Sequence, residues 1–99
     1  MKKKLPVNIT KKALKKILEI KKQKKIDDAY HLRLGVKPAG CGIASHMIGF
    51  DHPTAKDEVF ELDGIQVIIE KIQLMHLAGK SVDYDVVDGE AGFLFRTDN

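Results

Sequence analysis

A single sulfur dominates the chemistry open to this chain. Cys41 is the one cysteine in 99 residues, and it stands between Gly40 and Gly42. On its left, Leu32-Arg33-Leu34-Gly35-Val36 alternates apolar with other residues, and on its right His46-Met47-Ile48-Gly49-Phe50 does the same. Alternation at period 2 predicts a strand on each side. The middle, Lys37-Pro38-Ala39-Gly40-Cys41-Gly42, reads as a loop, because proline lacks a backbone donor and glycine tolerates positive φ. A thiol at such a tip is available as a metal ligand or a nucleophile, whereas a structural cysteine more often lies inside an apolar run. Three uses stay open for Cys41: a ligand, a redox-reactive thiol, or a leftover residue in a domain that binds something else. No recognisable His and Asp signature accompanies it, so the nucleophile reading has no activating base.

Other groupings point to less. Gly40-Cys41-Gly42 lacks the spacings of a phosphate-cradling loop. The carboxylate pairs Asp27-Asp28, Asp57-Glu58 and Asp83 with Asp85 have no matching second set; Asp83 and Asp85 fall on one strand face, and all six are expected at a solvated surface. No pattern of an enzyme active site is present.

The elements that must position the thiol are short. One domain, 1–99, is the most this length supports. The first 25 residues hold eleven lysines and one glutamate, a net +10, while residues 26–99 carry six bases and thirteen acids, a net −7. That basic block reads as a solvated helix face, with an acidic partner or nucleic acid as the alternative; the lack of aromatic platforms beside the lysines argues against nucleic acid. A lone cysteine cannot close an internal disulfide, which favours a reducing, cytoplasmic setting. No apolar stretch follows Met1-Lys2-Lys3-Lys4, so it is not read as a signal peptide, and no run is long enough to span a membrane.

Apolar residues at Ile9, Ala13, Leu14, Ile17 and Leu18 predict a helix from Ile9 to about Lys22, capped by Thr10 or Asn8, with Glu19 paired to Lys15. Strands are expected over Tyr30–Val36, His46–Phe50, Glu58–Leu62, Ile65–Glu70, Ser81–Val87 and Ala91–Arg96. Asp63-Gly64 predicts a type I′ hairpin turn, and Asp88-Gly89 a second turn. Lys71–Ala78 reads as a short helix that buries Ile72, Leu74, Met75 and Leu77 and ends at Gly79. The fold class is α+β, with mainly antiparallel strands, a long N-terminal helix and a short second helix.

These residues together resemble a known family. Ile9-Thr10 with Ala13, Leu32–Val36, Gly40-Cys41-Gly42, Phe50-Asp51, Phe60 with Asp63-Gly64-Ile65, Gly79 before Val82-Asp83-Tyr84, and Gly92-Phe93 occur in the order and spacing of the HesB-like, or A-type iron–sulfur cluster carrier, family. The resemblance implies a short-strand β-sandwich and a role in assembling or delivering iron–sulfur clusters, with iron or a cluster as the bound group and Cys41 as its ligand. It implies protein partners of iron–sulfur assembly and a homo-oligomer. Two departures matter. Family members carry a Gly-Cys-Ser-Gly-type loop, where this chain has Gly42 and Ile43 after the cysteine; they also carry a C-terminal Cys-Gly-Cys that does not occur before Asn99. A cluster wants four ligands, normally thiolates. His46, five residues past Cys41, is the nearest further metal donor, against its reading as an ordinary strand residue. His52 is expected exposed in a turn, and His76 packed. The alternative function is a protein-interaction module that keeps the fold without a cluster.

Overall fold

The alternating and β-branched runs that predict strands do form them, and the computed structural model describes residues 4–39 and 42–97. In order, the chain forms β1 (Asn8–Ile9), α1 (Lys11–Gln23), β2 (His31–Ala39), β3 (Gly42–Asp51), β4 (Asp57–Leu62), β5 (Ile65–Glu70), a 3-10 turn (Lys71–Gln73), α2 (Leu74–Leu77), β6 (Lys80–Val87) and β7 (Glu90–Thr97). This is the expected α+β class. Hairpins β2–β3, β4–β5 and β6–β7 are antiparallel, while β2–β5 and β1–β6 pair in parallel.

Two compact units divide these elements. The first holds Asp27–Ala78 with the lead up to Pro6, and its sheet runs β3-β2-β5-β4. Leu32, Leu34 and Val36 form the inward row of β2, and Val67, Ile68 and Ile69 of β5, which alternate between its two faces, are all buried, so this strand reads as a continuous apolar run. Asp63 and Gly64 both take positive φ (45° and 87°), which is the type I′ requirement, so an Asp-Gly pair fits where most residues would be strained.

The second unit holds Val7–Ile26 and Gly79–Asn99, with the sheet β1-β6-β7. Helix α1 contacts β6, and its Ala13 and Ile17 are buried, as is Val82 of β6. Thr10 is the N-cap: its hydroxyl accepts from the Ala13 amide at 3.2 Å. At the other end Lys25 sits at φ 51°, the Ile26 amide donates to the Lys21 carbonyl and the Lys25 amide to the Lys22 carbonyl. That is a Schellman ending with lysine where glycine is preferred.

Several expectations need correction. The loop read over Lys37–Gly42 is strand as far as Ala39 and again from Gly42, paired Ala39↔Gly42. Pro38 is tolerated because the register shifts between Lys37 and Pro38, a bulge where a missing N–H breaks no regular ladder. Ile72 and Met75 are exposed (78% and 79%): three residues apart, they share one face of this short segment, while Leu77, alone of the four fully buried, lies on another. Leu18 is 41% exposed, and Glu19 pairs with Lys16 at 3.9 Å rather than with Lys15.

Candidate functional site

The antiparallel pair β2–β3 carries Cys41 between its strands. Gly40 and Cys41 lie outside the described residues, so the geometry begins at the Ala39↔Gly42 rung. His46 is opposite Val36 and half-buried, three rungs back along β2, about 10 Å at 3.3 Å per residue. It shares its face with Ile48 and Phe50, which stand opposite Leu34 and Leu32.

The root of this hairpin is held by a side chain that sequence reading missed. Gln73, in the 3-10 turn, donates from Nε2 to the Val36 carbonyl at 3.2 Å and accepts at Oε1 from the Val36 amide at 3.1 Å. Its amide therefore acts as a strand neighbour where β5, paired to β2 only at Leu32 and Arg33, has diverged. Gly35 makes room: a Cβ there would lie 3.0 Å from Gln73 Oε1.

Lower on β2, Arg33 forms a clasp. Its two terminal nitrogens donate to the two oxygens of Asp57 at 2.7 Å each, Nε donates to Asp51 at 2.9 Å, and a terminal nitrogen also reaches the His52 carbonyl at 3.2 Å. The Asp57 side chain is wholly buried, which corrects its expected place on a solvated surface. Hydrogen bonds from Arg33 hold the Asp57 carboxyl below the usual range, against the opposing effect of burial, and the Asp57 pair in turn raises the guanidinium. Asp51 is also lowered, first by the His52 amide and then by Arg33. An open depression beside Arg33, with Thr54 and Lys56 on its wall, is no anion site, because the fork of Arg33 is already filled by carboxylates. An arginine inside an alternating strand was the available signal, since a strand-interior cation demands a carboxylate; the partner, 24 residues away, had none.

The remaining candidates are dispersed. His52 is exposed as expected and stacks on Tyr30, ring centroids 4.1 Å apart; His76 is exposed on α2, not packed. Asp83 and Asp85 do share a face, where Asp83 accepts from the Thr10 hydroxyl at 2.8 Å and both lie near Arg96. The Thr10 hydroxyl, then the Tyr84 amide, lower the Asp83 carboxyl. Among the described residues no three His, Cys, Asp or Glu side chains gather into a metal-binding group. Among them, too, no helix is long and apolar enough to cross a membrane.

Residues 5–99 match the family model described as iron-sulphur cluster biosynthesis. SufA of Bacillus subtilis is 38% identical over 80 residues, 80% of this chain and 66% of that protein. The iron-binding protein IscA of Salmonella arizonae is 37% identical over 71 residues, 71% of this chain and 66% of that protein. Among solved structures, Escherichia coli SufA, involved in biosynthesis of iron–sulfur clusters, superposes with a TM-score of 0.72 at 26% identity, covering 92% of this chain and 79% of that one.

Proposed function

Because the chain belongs to the iron-sulphur cluster biosynthesis family, we propose that it holds iron or a small iron–sulfur cluster as cargo through Cys41 and passes it to partner proteins of cluster assembly. The observation that carries the reading is the family match running through a hairpin whose strands pair up to Ala39↔Gly42, with the chain's one cysteine in the connection. The match over residues 5–99 supports treating the chain as one functional domain.

Donor chemistry then limits how the cargo is held. A cluster needs four ligands, and this chain supplies one thiolate. Among the described residues no three His, Cys, Asp or Glu side chains form a ready-made metal-binding group. On this reading the cargo is bridged between copies, a second copy bringing a second Cys41 and small thiols, His46 or a partner filling the rest. This is the chemistry of a loosely held, transferable group, and of a carrier in a reducing compartment such as the cytoplasm, rather than of an enzyme.

The test is anaerobic reconstitution with iron and sulfide, run beside Cys41→Ser. The expected result is visible absorption that depends on Cys41 and a shift from monomer to dimer in sedimentation when it appears. No absorption, or equal absorption in Cys41→Ser, overturns the carrier reading and leaves an interaction module on the same fold. His46→Ala separates that residue's two readings: loss of absorption makes it a ligand, and an unchanged spectrum makes it a strand residue.

A further inference from the structure

The lysine face of α1 has not been used by anything above. Residues 11–25 carry eight lysines against Glu19, a net +7. At about 100° per residue, Lys11, Lys15, Leu18 and Lys22 fall within a sector of roughly 60°, forming one ridge about 16 Å long. The ridge lies opposite the buried Ala13 and Ile17, and all four of its residues are exposed. Lys12 and Lys16 on the flank are occupied within the same unit: Lys12 lies 3.9 Å from Asp85, and Lys16 lies 3.9 Å from Glu19 and 5.5 Å from the Tyr84 ring centre. Lys11, Lys15 and Lys22 form no ion pair among the described residues. Lys11 and Lys15 are also like charges at i, i+4, an arrangement that destabilises an isolated helix. A neutralising partner would relieve that repulsion.

We propose that this ridge is a docking surface for an acidic protein segment, an amphipathic helix whose carboxylates meet Lys11, Lys15 and Lys22 and whose apolar residue covers Leu18. Charge complementarity requires an anionic partner, and Leu18 selects the class. An apolar side chain, 41% exposed and ringed by cations, is the layout of a protein interface, with its apolar centre and charged rim. A phosphate backbone offers Leu18 nothing. The ridge also has no arginine for bidentate phosphate contacts and no aromatic residue for base stacking.

The probe is a fluorescein-labelled helical peptide of about 20 residues, roughly 30 Å long, with glutamates at i, i+4 and i+7 beside a leucine row. A DNA duplex of about ten base pairs, similar in length, is titrated in parallel. The expected result is peptide binding that weakens about tenfold as salt rises from roughly 0.05 to 0.5 M. Lys15→Glu with Lys22→Glu should lose more than about tenfold, and Leu18→Ser about fivefold for the peptide with no change for the duplex. Circular dichroism confirms that each variant is folded. Lys56→Glu with Lys71→Glu alters net charge equally and should bind like the parent, as should Cys41→Ser, so this proposal stands or falls apart from the carrier reading. Absent peptide binding, equal loss in the control pair, or a silent Leu18→Ser overturns it. A duplex that binds more tightly than the peptide, through the same lysines, reassigns the ridge to nucleic acid.

Discussion

Arg33→Ala is the substitution whose cost the structure fixes best. It removes the two 2.7 Å bonds to Asp57, the 2.9 Å bond to Asp51 and the 3.2 Å bond to the His52 carbonyl. The decisive part is the carboxylate left behind, because the Asp57 side chain is fully buried while that of Arg33 keeps 18% of its surface in water. Stripping one partner from a buried pair costs about 3–5 kcal/mol. The Thr54 amide and hydroxyl still donate to Asp57, at 2.8 and 3.3 Å. The expected loss is therefore at the lower end, about 3 kcal/mol, or roughly 12–24 °C in Tm for a chain of this size. Arg33→Lys should recover only part, because an ammonium cannot make the two-pronged contact. The pH dependence supplies a second check. A carboxyl whose folded pKa is depressed stabilises the fold above its unfolded value and loses that contribution as pH falls through the folded one. For Asp57 that window opens below the ordinary 3.8. The parent should lose stability there, while Arg33→Ala, whose Asp57 no longer has its partner, should lose less, so the two curves converge. Urea unfolding at pH 7 and pH 3 measures both. A loss under about 1 kcal/mol at pH 7 would contradict the buried-pair argument, and so would an equal penalty at both pH values.

Other substitutions test the hairpin root and the helix end. Gln73→Met deletes both bonds to Val36; it should cost about 1–2 kcal/mol and speed hydrogen exchange at the Val36 amide. Gly35→Ala places a Cβ 3.0 Å from Gln73 Oε1 and 3.3 Å from Met47 Cε; since it acts by displacing the same amide, its cost should not add to that of Gln73→Met in a double-mutant cycle. Lys25→Gly should stabilise the fold by about 0.5–1 kcal/mol in thermal melts, because φ 51° suits glycine.

Local chemistry made much of the fold legible. Asp63-Gly64 and Asp88-Gly89 announce hairpin turns because few residue pairs accept two positive φ values, and Thr10 announces a helix start because its hydroxyl can take an orphan amide. What escaped was long-range. Parallel pairing of β1 with β6 joins residues 73 positions apart, and no short pattern marks it. The same holds for the Arg33–Asp57 clasp and for Gln73 on Val36. Ile72 and Met75 misled because apolar character alone was counted: three residues apart they share a face, and the buried Leu77 lies on another. The ligand assignment of Cys41 drew on the family's pattern, since a single thiol between two glycines carries no metal-binding spacing of its own.

Beyond Val36, β2 has only β3 beside it among the described strands, so the sheet tapers there into a two-stranded arm hinged on one glutamine. From that hinge to the Ala39↔Gly42 rung is about 10 Å, so a tilt of roughly 10° at the base swings the far end by about 2 Å. A change in how Gln73 seats against Val36 is thus magnified at the rung beside the chain's one cysteine, while Gln73 itself lies well behind it.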